Sequence, residues 1–386
     1  MQVVIRLAIL AVLILYVWHR LVVRTRLTGN ARLAASAGVA LVIGPMAFVM
    51  AASPAGPPQA SGWVAWPAFI GWAMFALTFI SLLVIDIAWL IGWLVGKLVR
   101  RGAPTDPDRR QALARITGGV VSTAVVGYVG LGAARALGDP EIVDVPVQLK
   151  RLPPALDGFT IVQLTDIHVG MTVRRGFVED LVRRTNALGG DMIVLTGDFV
   201  DGTVDELRDD VAPLGELRAR YGVYFVTGNH EYYCGGDAWV AHIRSLGIRV
   251  LRNERVEIRR NDGVFDLAGI DDYGARKFAP DHGADVARAL AGRDPARCVV
   301  LLAHQPRQVH DAARHDVDLQ LSGHTHGGQV WPWHYLVSLQ QGGLLAGRYT
   351  IGSTQLYVSR GPSYWGPPVR VGAPPEITRV ILKTVA

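Results

Sequence analysis

The sequence predicts an N-terminal α-helical membrane bundle followed by a C-terminal α/β domain, a layered β-sandwich flanked by helices. Two observations carry this expectation. Half of the 386 residues are hydrophobic and the mean hydropathy is +0.25, more apolar than soluble chains usually are, and the excess is concentrated before residue 138. Beyond it, short apolar runs alternate with polar helical stretches, the pattern of strands and helices layered on a sheet. The chain therefore divides into a membrane domain over 1–138 with about four transmembrane helices, a linker and lead-in strand over 139–158, and a catalytic domain over 159–386.

The membrane elements come first. Apolar runs at Val3–Val23, Leu33–Ala52, Ala68–Val99 and Ile116–Leu137 each supply the ~20 residues that cross ~30 Å of hydrocarbon. Trp63, Trp66, Trp72, Trp89 and Trp93 fall near run ends, where an amphipathic ring suits either the interface or helix packing. Arg20, Arg24, Arg26 and Arg32 separate the first two runs, and Lys97, Arg100, Arg101, Arg109, Arg110 and Arg115 the last two. The segment 53–67 holds no Lys or Arg. Basic loops favour the cytoplasm, so Met1 and the domain after the fourth run are expected outside it. Asp86, inside the third run without an obvious basic neighbour, is read as a carboxylate satisfied by adjacent helices.

Net charge is +6, which suits an anionic ligand or anionic lipid, although many arginines flank apolar runs and act in topology. Cys234 and Cys298 lie far apart without CxxC spacing, so neither a disulfide framework nor a thiolate zinc site follows. No GxSxG and no P-loop occurs, and His230-Glu231 is followed by Cys234 where HExxH needs histidine, which argues against serine hydrolases, nucleotide-binding P-loops and zincins.

In the catalytic half, one arrangement recurs. Thr160–Thr165 leads to Asp166-Ile167-His168, Asp191–Thr196 to Gly197-Asp198, and Gly222–Thr227 to Gly228-Asn229-His230-Glu231. Cys298–Ala303 leads to His304, and Val317–Ser322 to Gly323-His324-Thr325-His326. Helical stretches at Arg174–Leu188 and Val204–Arg220 intervene. Ligands of α/β sheets collect at the carboxyl ends of strands, so Asp166, His168, Asp198, Asn229, His304, His324 and His326 are expected along one edge. This oxygen and nitrogen set without thiolates suits Mn, Fe or Zn. Seven ligands exceed the need of one ion, so two divalent ions bridged by Asp198 are expected, generating a hydroxide nucleophile and neutralising phosphoryl charge.

The series D-x-H, G-D, G-N-H-E, H and G-H-x-H resembles the calcineurin-like metallophosphoesterase family across residues 143–386. The resemblance implies a first metal held by Asp166, His168, Asp198 and His326, and a second by Asp198, Asn229, His304 and His324. It gives His230 the catalytic role of serving the leaving oxygen. Gly323–Gln329 with Tyr357-Val358-Ser359-Arg360-Gly361 is similar to a bacterial membrane-associated branch containing envelope phosphodiesterases. The expected reaction is hydrolysis of a phosphodiester of an envelope or lipid-linked substrate, with membrane lipids as neighbours and nucleic acid a less natural partner. Alternatives are a UDP-diacylglucosamine-type pyrophosphatase, favoured by a cytoplasmic domain, and a catalytically inactive membrane sensor, which would have lost ligands.

Among the remaining residues, Glu231 is read as a structural hydrogen-bond acceptor, Asp201 as the cap of the helix after Gly202, and Asp271-Asp272 as a turn. The aromatic segment Trp331-Pro332-Trp333-His334-Tyr335-Leu336 suits either a membrane surface or an acyl chain, or packing against the rim of the sheet.

Overall fold

The computed structural model describes residues 2–52, 62–98 and 106–385. The chain falls into two compact units, one mainly of the N-terminal helices and one from Arg135 onward.

In the N-terminal unit, α1 (Gln2–Trp18) continues through a π-helical turn (His19–Val23), and α2 (Gly29–Ala52), α3 (Gly62–Leu98) and α4 (Pro107–Ala136) follow. Each holds most of one of the four apolar runs, and Val99 lies outside the described residues. Three of them, α2, α3 and α4, are long and apolar enough to cross a membrane, whereas the first run forms a 17-residue α-helix and its π turn. The 37 residues of α3 would extend about 55 Å, well beyond one hydrocarbon thickness. Its buried stripe of Ala65, Ala68, Gly71, Phe75, Thr78 and Leu82 starts with small residues that let backbones approach. At Gly71 a Cβ would overlap the carbonyl of Val42 in α2. Trp63, Trp89 and Trp93 face outward, while Trp72 packs on Phe75.

Asp86 does have basic partners. Tyr16 donates to it at 2.8 Å, Arg20 Nε lies at 2.8 Å and Arg24 at 3.3 Å. Arg20 was expected in a loop, but the helix runs on through it and buries it to 7% exposure. Arg115 of α4 also donates to the carbonyl of Thr25 at 3.0 Å. These contacts gather the end of α1, the later part of α3 and the start of α4 at one end of the bundle. Arg100, Arg101 and the greater part of the segment 53–67 lie outside the described residues.

The second unit is built on two six-stranded sheets. The first runs β1 (Glu141–Leu149), β12 (Glu376–Thr384), β2 (Thr160–Leu164), β3 (Met192–Leu195), β4 (Val223–Phe225) and β5 (Arg249–Val250). The second runs β10 (Gly347–Ile351), β11 (Thr354–Val358), β9 (Leu319–Ser322), β8 (Val299–Leu302), β7 (Gly263–Gly269) and β6 (Glu254–Arg260). The segment 139–158 thus provides an edge strand, β1, paired in parallel with β12 from the far end of the chain. Parallel pairing from β2 to β5 and from β7 through β8 and β9 to β11 requires crossovers, which α5 (Arg175–Ala187), α6 (Val204–Val211), α7 (Asn229–Tyr233) and α8 (Gly236–Ser245) help to supply. The expected helix over Val204–Arg220 stops at Val211 and continues as a 3-10 turn, Ala212–Glu216.

Central strands read as continuous apolar runs because both faces are covered. Met192, Val194, Phe265, Leu267, Val300 and Leu321 from the two sheets share one buried core. That core fixes the register of both sheets, so their carboxyl ends come together.

Candidate metal centre

The loops after β2, β3 and β4 of one sheet meet those after β8 and β9 of the other. Asp166 and His168 follow β2, Asp198 follows β3, Asn229 starts α7 after β4, His304 follows β8, and His324 and His326 follow β9. All seven residues anticipated as ligands are therefore at strand ends on one edge. Donor atoms of six of them, joined by His230, form overlapping groups compatible with ions: Asp166, His168 and His326; His168, Asp198 and His230; and Asp198, His304 and His324. Asp198 alone belongs to a group with His168 and to one with His324.

The loops are tied to one another by their own polar groups. The Asp166 amide donates to the Gly197 carbonyl (2.9 Å) and the His168 amide to the Asp198 carbonyl (3.2 Å). The His324 amide donates to the Asp166 carboxylate at 2.9–3.0 Å, and the His230 amide to Asp198 Oδ1 at 2.8 Å. Asp166, His168, Asp198, His324 and His326 all have positive φ, between 50° and 73°, a region L-residues avoid unless the surroundings hold them there. The adjacent glycines answer to the same crowding: a Cβ on Gly228 would overlap the Asp198 carboxylate, and one on Gly323 the Asp166 carboxylate.

Two imidazole pairs face each other nitrogen to nitrogen: His168 Nε2 and His326 Nε2 at 3.0 Å, and His304 Nε2 and His324 Nδ1 at 3.1 Å. Asn229 Oδ1 is buried without a hydrogen-bond partner. Converging lone pairs and an orphaned amide oxygen fit metal coordination, because a cation would satisfy every one of them.

The protein's own field polarises the cluster. Burial works against the charge of Asp198, yet His304 and His230 hold its carboxyl well below the usual carboxylate range. Burial raises Asp166, partly offset by His304. For His304 and His230 burial opposes the proton, but Asp198 prevails, together with Asp166 at His304 and Asp201 at His230, and pushes them up to about 10 and about 9. Burial and the His304 charge push His324 down to about 3, and burial with the His168 charge takes His326 well below its ordinary value.

Residues around the ligands refine the sequence reading. Glu231 is the structural acceptor anticipated, taking the amides of Asp198 (3.0 Å), Phe199 (2.7 Å) and Gly228 (2.6 Å). Asp201 is not the helix cap. Thr203 caps α6 in a capping box with Glu206, and Asp201 Oδ1 instead receives His168 Nδ1 at 3.0 Å and His230 Nδ1 at 2.6 Å. The T-x-x-E spacing of a capping box was the signal that could have freed Asp201 from the capping role. The His230 ring lies against Tyr233 and Trp365, with centroids 5.0 and 5.7 Å away. Arg370, 1% exposed, donates to His326 Nδ1 (3.1 Å) and to the carbonyl of His326 (3.3 Å); no local pattern marks it. Asp272 opens a turn, its carbonyl accepting from the Ala275 amide at 3.2 Å, and Asp271 just before it is paired to Arg252 at 2.8 Å.

The family model of the calcineurin-like phosphoesterases matches residues 159–328. A "transmembrane protein with metallophosphoesterase domain" of Bos taurus is 42% identical over 308 residues, which covers 77% of this chain and 67% of that one. A protein of the same description from Danio rerio is 39% identical over 272 residues (68% and 62%), and a metallophosphoesterase of Helicobacter pylori is 38% identical over 273 (70% and 71%). The chain therefore spans about two thirds of the length of these relatives. It belongs to the calcineurin-like metallophosphoesterases, a family of dinuclear-metal-dependent phosphoesterases.

Proposed function

We propose that this membrane protein hydrolyses a phosphodiester of an envelope or lipid-linked substrate at two divalent ions of Mn, Fe or Zn. Asp166, His168, Asp198 and His326 would hold the first ion, and Asp198, Asn229, His304 and His324 the second. The observation that carries this reading is the pair of imidazole couples facing across Asp198. Bound ions would supply a hydroxide nucleophile and neutralise charge on the phosphoryl oxygens. The chain's own work is positional. Asp201 accepts a hydrogen bond from Nδ1 of His230 and so leaves Nε2 to carry a proton toward a departing ester oxygen. Trp365 and Tyr233 restrict that ring, and Arg370 fixes His326 from behind.

The catalytic domain is proposed to lie outside the cytoplasm with Met1. The basic segments after α1 and before α4 support this, and the Arg115 to Thr25 contact joins them at one end of the bundle. Metal-stripped full-length protein in detergent should regain turnover of bis-p-nitrophenyl phosphate with Mn, Fe or Zn, and exceed its turnover of p-nitrophenyl phosphate. Activity on the monoester alone would remove the diester assignment, and no activity with any metal would remove the enzyme reading.

A further inference from the structure

Beside the metal centre is a cavity of about 250 Å³ that shares Asn229 as a wall. Its other walls are Tyr232 and Tyr233 of α7 and two short segments. One is the turn after β7, carrying Tyr273, Lys277 and Phe278, and the other continues directly from His304 to Arg307. We propose that this cavity is a specificity site for a second anionic group on the substrate, carried next to a planar or apolar moiety. The inference rests on the phosphodiesterase reading above and names the class of diester that it takes.

Three features support the assignment. Lys277 and Arg307 both line the cavity, and among the described residues neither has a carboxylate partner. Arg307 instead lies over the Tyr273 ring, 5.1 Å from its centroid, which leaves guanidinium edges for an anion. The one carboxylate in the lining, Asp272, is engaged elsewhere, accepting from Gln305 Nε2 at 2.9 Å and the Gly274 amide at 2.6 Å. Second, the walls are rigidly supported. The paired Arg252 and Asp271 anchor one segment, and the bond from Gln305 to Asp272 joins the two segments, so the backbone that carries Lys277 and Arg307 is tied to the strand end that carries His304. Third, the Tyr233 and Phe278 rings meet at 5.1 Å, tilted 60° to each other, while remaining 56% and 53% exposed, and Tyr233 packs on His230. Aromatic surface left exposed between a catalytic histidine and two unpaired cations suits a ligand that is flat or apolar on one part and charged on another. The volume is small for a ligand pocket, which usually starts at roughly 300 Å³, so it fits one acidic group and one ring.

The test uses full-length protein with the metal that best supports bis-p-nitrophenyl phosphate turnover. The probes are the p-nitrophenyl phosphodiester of thymidine with and without a phosphate on the other sugar hydroxyl. The added phosphate should raise kcat/KM about ten-fold, and the double variant K277Q/R307Q should reduce that preference to about one. Both side chains are exposed, so folding is spared, and K277E/R307E should reverse the preference. No preference in the wild type, or one retained by the double variant, would overturn the proposal. Absence of bis-p-nitrophenyl phosphate turnover would instead strike the phosphodiesterase reading beneath it.

Discussion

Asp201→Asn isolates the carboxylate that serves both His168 and His230. The asparagine keeps an oxygen near Nδ1 of each ring but removes the charge. A hydrogen bond to a charged group contributes roughly 1.5–3 kcal/mol against roughly 0.5–1.5 for a neutral one. Because the Asp201 side chain is 28% exposed, solvent screening favours the low end, about 1 kcal/mol for each histidine. For His230, whose pKa stands at about 9, this corresponds to a fall of about one unit toward its ordinary value. The sign is fixed by the direction of that shift: the protonated ring is the donor, so the alkaline limb of the rate profile moves to lower pH. For His168, weakening the carboxylate behind a ligand should reduce metal affinity about 10- to 100-fold. The assay is kcat and kcat/KM for bis-p-nitrophenyl phosphate from pH 6 to about 10 at saturating metal, with affinity from titration against a chelator. An unmoved alkaline limb together with unchanged affinity would refute the role given to Asp201.

Asp198→Asn should lower turnover far more than His230→Ala, because the first disturbs both ions whereas loss of a proton donor costs ~10²–10⁴-fold; equal small effects in metal-saturated protein would reverse the roles. His304, held protonated up to about 10, must lose that proton to bind metal, so apparent affinity should rise about ten-fold per pH unit through neutral pH with one proton released; calorimetry in buffers of different ionisation enthalpy reads this, and pH-independent binding would exclude it. Protease added outside intact cells should digest the domain after Leu137, and a phosphatase reporter fused at Ala386 should be active; full protection would place the domain in the cytoplasm and favour a UDP-lipid pyrophosphatase.

The central strands and the candidate ligand set were legible because each candidate directly follows a short, largely apolar run, buried on both faces in β2, β3, β8 and β9 and partly buried in β4. Of the edge strands, β1 was expected as the lead-in strand over 139–158, whereas β6 was not legible. In β6 only Ile258 of seven residues is buried, and Val256 is the one other apolar residue among five charged ones, so the alternation is too short to mark a strand. Asp201 was obscured by a chemistry it shares with helix caps, although Thr203 and Glu206 stood ready for that role. Arg370 was out of reach because a fully buried arginine paired with carbonyls and a histidine, 44 residues from its partner, leaves no local trace. The partners of Asp86 were hidden by an inference about helix ends: arginines mark loops in a hydropathy reading, but the π turn carries Arg20 onward as helix. Positive φ at five of the seven ligands was invisible for a related reason, since local propensity disfavours it and only the crossing hydrogen bonds hold it.

Glu231 separates a structural carboxylate from a catalytic one. Its side chain is 1% exposed, and its two oxygens take three backbone amides from the loops that carry Asp198 and Asn229. In Glu231→Gln the amide oxygen can take the Oε2 position and keep the bonds from Asp198 and Gly228. The amide nitrogen then faces the Phe199 N–H, donor against donor, and that buried group loses its partner. The cost is about 1–3 kcal/mol, equivalent to a fall in Tm of roughly 2–12 °C for a domain of this size. The same loss loosens the turn that sets Asp198, so metal affinity should fall with stability. No substrate contact is removed, so kcat at saturating metal should stay within about ten-fold of wild type. A general base would behave differently: Glu231→Gln would then abolish turnover at every metal concentration while Tm stayed unchanged, and that outcome would refute the structural assignment.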